Sequence, residues 1–259
     1  PGYRPEHTLA SSELAALSGA DFIEPDLVMT ADGVLVARHE PEIGATTDVA
    51  TRPEFADRRT TKTIDGVVRT GWFVDDFTLA ELRTLRATER IPHIRQANTV
   101  YDGRFGIPTF AEVLALRERL SRQLGREIGI YPETKHPSYF AGLGLPLEPA
   151  LITALEESGL NRPGAPVFVQ SFETSNLRLL REHLRVPIVQ LVAAEGAPFD
   201  LVAAGDTRSY LDLVTPTGLQ TITSYADAIG PDKDLVIARE ADGSLGAPTG
   251  LVEAAHAVG

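Results

Sequence analysis

No cysteine occurs in the 259 residues, which excludes disulfides, zinc–thiolate sites and thiol nucleophiles together. Long apolar runs are missing too: no uninterrupted stretch approaches the roughly 20 residues needed to cross a bilayer, and residues 1–8 do not read as a signal segment. Stable membrane insertion is therefore not expected, and the chain reads as soluble. Positive charge is scarce, with 24 Lys and Arg against 36 Asp and Glu for a formal charge of −12. That argues against a nucleic-acid binder or an anchor on anionic membranes, because both need a net basic surface. What is present, 43% hydrophobic and 23% charged residues, is the composition of a globular protein with a substantial core. The length suits one α/β barrel as well as two small domains.

Leu9 to Leu17 follows Thr8, a good N-cap, and predicts a helix. Asp21 to Val28 (DFIEPDLV) predicts a strand, and residues 34–37 (VLVA) a second. Asp32-Gly33 between them is a two-residue hairpin signal. From Pro41 to about Asp102 apolar periodicity is poor, so residues 41–105 are expected to form an inserted subdomain or long loop. It contains a short helix at Thr78 to Leu85 and the aromatic group Gly71-Trp72-Phe73, read as a small core of the insertion. Residues 1–40 and 106–259 are then the two parts of the main domain. Beyond the insertion, helices are expected at Thr109 to Leu120, Leu147 to Leu155, Glu173 to Leu184, Leu219 to Ala226 and Gly250 to Ala257. Strands at Glu127 to Tyr131, Pro166 to Phe172, Val186 to Val192 and Ala228 to Gly230 alternate with them, the pattern of parallel βα units.

Glu24 and Asp26 are two apart on a predicted strand, so both side chains leave the same face. Like charges side by side are costly without a cation between them, and a hard divalent ion prefers carboxylate oxygens. The pair is either a metal site or two solvated acids on an edge strand, to which Pro25 is suited. With a two-residue loop the opposed residues sum to 65, which sets His39 opposite Asp26; a bulge shifts this by one. An imidazole there is an acid–base candidate or a structural histidine, and the two acids favour the former. Glu133 and Lys135 follow a strand C-terminus, where barrel active sites gather. Three carboxylates around a divalent ion leave a charge near −1, which Lys135 can offset; the alternative is a lysine that merely pairs with an acid. His7 reads as part of the helix-start turn, and His136, beside Lys135, as a rim residue or, less favoured, a contact to substrate. His93, His183 and His256 lack acidic partners at ligand spacing, and the stretch around Gly142 and Gly144 lacks a nucleotide-loop setting.

The segments Gly2 to Leu9, Gly19-Ala20-Asp21, Glu24-Pro25-Asp26, Thr30 to Gly33, Val36, His39-Glu40 and Tyr131 to Lys135 together resemble the ordered signature of the glycerophosphodiester phosphodiesterase family. The resemblance recurs at 166–172 and 225–232. The latter segment and the long insertion after His39 point to its bacterial secreted or periplasmic branch. It implies an α/β fold, a TIM (β/α)8 barrel with an insertion after the second strand. It also implies one divalent ion, Ca²⁺ or Mg²⁺, held by Glu24, Asp26 and Glu133, with His39 as one of two catalytic histidines. Lys135 matches a contact to substrate phosphate and Glu6 an acid supporting the catalytic loop. Gln170, at a strand end, either lines the pocket or packs. The substrate so implied is a small phosphodiester, hydrolysed to glycerol 3-phosphate and an alcohol.

Two departures stand out. The family's histidine-arginine-glycine motif and its closing strands are expected outside residues 1–259, so the first strand and the C-terminal units are missing and the chain reads as the interior of a longer one. Glu40 replaces the family's usual Asp with a side chain one methylene longer. Rival readings are a phospholipase D-like lyase on sphingolipids or lysolipids, and a catalytically silent barrel acting as a binding module.

Overall fold

A computed structural model describes residues 2–259, which divide into two compact units meeting between Val167 and Phe168 in sequence. The strands of the first unit are β1 (Phe22–Ile23), β2 (Asp26–Met29), β3 (Leu35–Ala37), β4 (Thr60–Ile64), β5 (Val67–Gly71), β6 (Gly129–Ile130) and β7 (Glu133–Thr134). Its helices are α1 (Leu9–Leu17), α2 (Leu79–Leu82), α3 (Phe110–Leu124), α4 (Pro137–Gly142) and α5 (Leu147–Glu157). Helix α1 begins where expected, with Thr8 and Ser11 forming a reciprocal capping box that satisfies two otherwise unpaired amide donors. Thr109 and Glu112 cap α3 in the same way.

The strand predicted over 21–28 is two strands. Pro25 has no N–H to give a ladder, and the halves on either side of Glu24-Pro25 take different partners. β1 pairs in parallel with β6, Phe22 opposite Gly129, whereas β2 lies between β7 in parallel and β3 in antiparallel. β2 and β3 are buried at every residue, as befits strands covered on both faces. Gly129 has no side chain because the Phe22 ring occupies the place a Cβ would take. Gly129→Ala is expected to destabilise the protein by about 1–3 kcal/mol through overpacking, read as a lower midpoint in denaturant with an unchanged slope.

The β2–β3 hairpin also departs from the expected register. Its pairs are Leu27 with Ala37, Val28 with Val36 and Met29 with Leu35, so opposed numbers sum to 64 rather than 65. The loop is three residues, closed by the Thr30 amide on the Val34 carbonyl and ending at Gly33 with φ 78°. This is a type I turn followed by a left-handed glycine. The Thr30 hydroxyl favours it, donating to Asp32 and accepting from the Val34 amide at 2.9 Å. Arg38, not His39, therefore stands across from Asp26, its amide donating to the Asp26 carbonyl at 3.0 Å.

Residues 41–105 hold short elements: four 3-10 turns, the antiparallel hairpin β4–β5, and α2. The hairpin turns at Asp65-Gly66, with φ 49° and 77°, and has the two-residue geometry that Asp-Gly favours. Phe55, Phe73 and Phe77 are buried, Phe55 and Phe77 meet edge to face at 5.1 Å, and the Trp72 indole N–H donates to the Phe55 carbonyl.

In the second unit β8 (Val169–Ser171), β9 (Ile188–Val192) and β10 (Ala228–Pro231) form parallel neighbours in that order. They are interleaved with α6 (Thr174–His183), α7 (Phe199–Ala203), α8 (Tyr210–Leu213) and α9 (Pro216–Ile222). The chain ends with α10 (Lys233–Val236), the hairpin β11 (Ile237–Arg239) and β12 (Leu245–Pro248), and α11 (Leu251–Ala257). Among the described residues no helix is long and apolar enough to cross a membrane.

Candidate active site

Strand pairing brings the acids together. Asp26 and Glu133 are directly opposed on the parallel strands β2 and β7, the Glu133 amide donates to the Pro25 carbonyl at 3.0 Å, and Glu24 lies two residues before Asp26. One carboxylate oxygen from each of Glu24, Asp26 and Glu133 falls within 4.8 Å of the others. Oxygens bonded to one Mg²⁺ or Ca²⁺ at about 2.0–2.6 Å span up to about 5 Å, so the cluster has the size of a one-ion site. Oδ1 of Asp26 is buried with no hydrogen-bond partner, which fits a carboxylate oxygen suited to ligate a cation.

The electrostatics agree. Glu24 is exposed at the cleft, yet the protein crowded around its carboxyl group and the neighbouring Asp26 push its pKa up. Burial also raises Glu133, against the pull of Lys135, whose ammonium lies 3.0 Å from Glu133 Oε1. Burial would raise Asp26 as well, but the hydrogen bond from His7 holds it well below the usual carboxylate range. Three acids that resist sharing a charge state call for a cation.

His7 is the residue that sequence reasoning undervalued. It does sit at the helix start, with φ 50°, but that left-handed backbone turns its ring toward β2. Nε2 is 3.0 Å from Asp26 Oδ2, while Nδ1 accepts from the Asp26 amide at 3.4 Å. The ring proton thus belongs on Nε2, aimed at the carboxylate. Glu24, Asp26, His7 and His39 line one cleft of about 380 Å³ together with Glu6, Arg90 and Arg95, and the two imidazole centroids are 6.4 Å apart. So His39 shares a cleft with Glu24 and Asp26 rather than standing directly opposite Asp26. Beneath lies Arg38, fully buried, its guanidinium donating to the carbonyls of Ala37, Thr46 and Glu6; burial lowers its pKa to about 10. Glu6 is buried and accepts from Arg90 at 2.9 Å.

His136 is not a solvated rim residue. Its side chain is 16% exposed, with Nδ1 2.6 Å from Asp65 Oδ2 and Nε2 3.3 Å from Glu40 Oε2. Burial alone would lower its pKa, but Asp65 and Glu40 outweigh that and hold it at about 9. A histidine raised from 6.5 contributes stability that is complete below 6.5 and is lost as pH climbs through about 9. His136→Asn is accordingly expected to flatten the fall in denaturation midpoint between those values. Gln170, read as a pocket candidate, lies buried in the second unit at the middle of β8, opposite Val189.

Carboxylates gathered at a parallel strand pair of an α/β sheet, with imidazoles in the same cleft, are the kinds of group that metal-assisted hydrolysis draws on. Comparison with known proteins agrees. The profile of the glycerophosphoryl diester phosphodiesterase family matches residues 1–259. A glycerophosphodiester phosphodiesterase of Arabidopsis thaliana is 33% identical over 267 residues, covering 98% of this chain and 68% of that protein. One of Haemophilus influenzae is 30% identical over 258 residues, covering 92% and 68%. Among solved structures, a glycerophosphodiester phosphodiesterase from Agrobacterium tumefaciens is similar with TM-score 0.54 and 20% identity over 99% of this chain and 79% of that one. An Oleispira antarctica phosphodiesterase in complex with the product sn-glycerol-3-phosphate gives 0.53 and 19% over 89% and 80%. The chain belongs to the glycerophosphoryl diester phosphodiesterase family, and its fold is of the TIM-barrel α/β class.

Proposed function

We propose that this cleft hydrolyses glycerophosphodiesters to glycerol 3-phosphate and an alcohol. The observation that carries the reading is the convergence of Glu24, Asp26 and Glu133 on one ion-sized space beside two imidazoles. Glu24, Asp26 and Glu133 would hold the ion, and the all-carboxylate donor set suits Mg²⁺ or Ca²⁺. When bound, such an ion supplies positive charge to a non-bridging phosphoryl oxygen in the transition state. Lys135 offsets the excess negative charge and faces substrate phosphate. His39 carries a proton to or from the reacting oxygens, while His7 holds the Asp26 carboxylate in place. We further assign the chain to the secreted or periplasmic bacterial branch, on the resemblance at 225–232 and the long insertion; fractionation of the source cells tests this.

The test is turnover of a glycerophosphodiester with Mg²⁺ or Ca²⁺, followed by phosphorus NMR of the products. Glycerol 3-phosphate as the final product, lost on chelation, is expected. A cyclic phosphate that persists as the final product would point to the lyase reading, and absence of turnover to a binding module.

A further inference from the structure

We propose that His136 and Asp65 are positioning residues for His39, acting through Glu40. The inference rests on His39 being the acid–base group of the proposed function. Nδ1 of His39 lies 3.2 Å from Glu40 Oε1, a charge contact without hydrogen-bond alignment, and it makes no hydrogen bond to any described residue. The second oxygen of Glu40 faces away from His39, 3.3 Å from His136 Nε2 and 3.5 Å from an Arg69 terminal nitrogen. The far side of the His136 ring meets Asp65 at 2.6 Å. Four side chains thus form one polar line from the cleft to the tip of the β4–β5 hairpin.

The chemistry of a general base explains why such a line helps. An imidazole works best when a carboxylate on its other nitrogen sets its tautomer and orientation, and that carboxylate must itself be held. Glu40 is flexible, and a long acid anchored at one oxygen only would sample several rotamers. His136, donating from both nitrogens when protonated, ties Glu40 Oε2 to a fixed acceptor. The fixed point is well secured. Asp65 and His136 both hold left-handed backbone, φ 49° each; at Asp65 this is the ordinary conformation of the Asp-Gly turn, whereas at His136 it is uncommon for the residue type and persists where the surroundings hold it. The hairpin is also held at its middle, where Lys62 pairs with Asp75 and Asp76 and the Tyr139 hydroxyl donates to Asp75 at 2.9 Å.

The experiment compares His39→Ala, Glu40→Gln, His136→Ala, Asp65→Asn and the Glu40→Gln/His136→Ala double variant in kcat, KM and circular dichroism. Asp65→Asn keeps side-chain shape, and asparagine tolerates the left-handed region, so it carries the test if His136→Ala does not fold. His136→Ala and Asp65→Asn are each expected to lower kcat by about 10–100-fold with KM within about threefold. The double variant should be no slower than Glu40→Gln alone, since both act through one carboxylate. A His39→Ala enzyme with normal kcat would overturn the acid–base reading and this inference with it. Loss of activity in His39→Ala, together with wild-type kcat in folded His136→Ala and Asp65→Asn, or additive losses in the double variant, would overturn the positioning role alone.

Discussion

Glu24→Gln is expected to abolish metal-dependent turnover, lowering kcat/KM by about a thousandfold or more, because charge stabilisation by a bound ion is worth several kcal/mol and each 1.4 kcal/mol is tenfold. The substitution keeps size and shape, and Glu24 is exposed, so the fold should tolerate it. Its effect on the metal-free protein should have the opposite sign. Glu24 and Glu133 are acids whose pKa values are raised by burial and by the neighbouring Asp26, with Glu133 adding to the rise at Glu24. A raised acid destabilises the folded state as pH rises above its unfolded value of 4.5 toward its folded one. Glu24→Gln removes one such charge. The metal-free variant is therefore expected to be more stable than the metal-free wild type at neutral pH, and the order should reverse once saturating metal stabilises only the wild type. Thermal melts with and without chelator read both signs; a variant that is less stable without metal would contradict the view of three mutually repelling carboxylates.

His39→Ala is the second large effect. Loss of a positioned acid or base typically removes about 10²–10⁴ in rate, and here the loss should appear in kcat with metal affinity unchanged. That separation matters because His39 shares a cleft with Glu24 and Asp26 without pairing to any of the three acids, its near carboxylate being Glu40. Equal losses in metal binding and kcat would instead make His39 part of the ion's surroundings.

The acids of the site were legible in sequence for a definite reason. The rule that residues two apart on a strand share a face, and the rule that barrel sites gather at strand C-termini, pointed to the right three acids, but the structure joins them otherwise: Glu24 sits in the break between β1 and β2, and Glu133 opens β7 directly opposite Asp26. The register of His39 was less legible, because it hangs on whether Asp32-Gly33 makes a two- or three-residue loop. The Thr30 hydroxyl decides that by a contact that residue types alone leave open. The β4–β5 hairpin carried a readable signal, Asp65-Gly66 between Thr60–Ile64 and Val67–Gly71, that the surrounding polar composition obscured. The partners of His7, Arg38 and His136 could not be read at all. His136 meets Asp65 across 71 positions and Glu40 across 96, and no spacing rule reaches that far.

The central claim is that Glu24, Asp26 and Glu133 together hold a single hard cation. Isothermal titration of the chelator-treated protein with Mg²⁺ and Ca²⁺ at neutral pH tests it most directly. The wild type should bind one ion per chain, and Glu24→Gln and Glu133→Gln should each lose that binding while remaining folded. Identical titration curves for the wild type and both variants would contradict the claim.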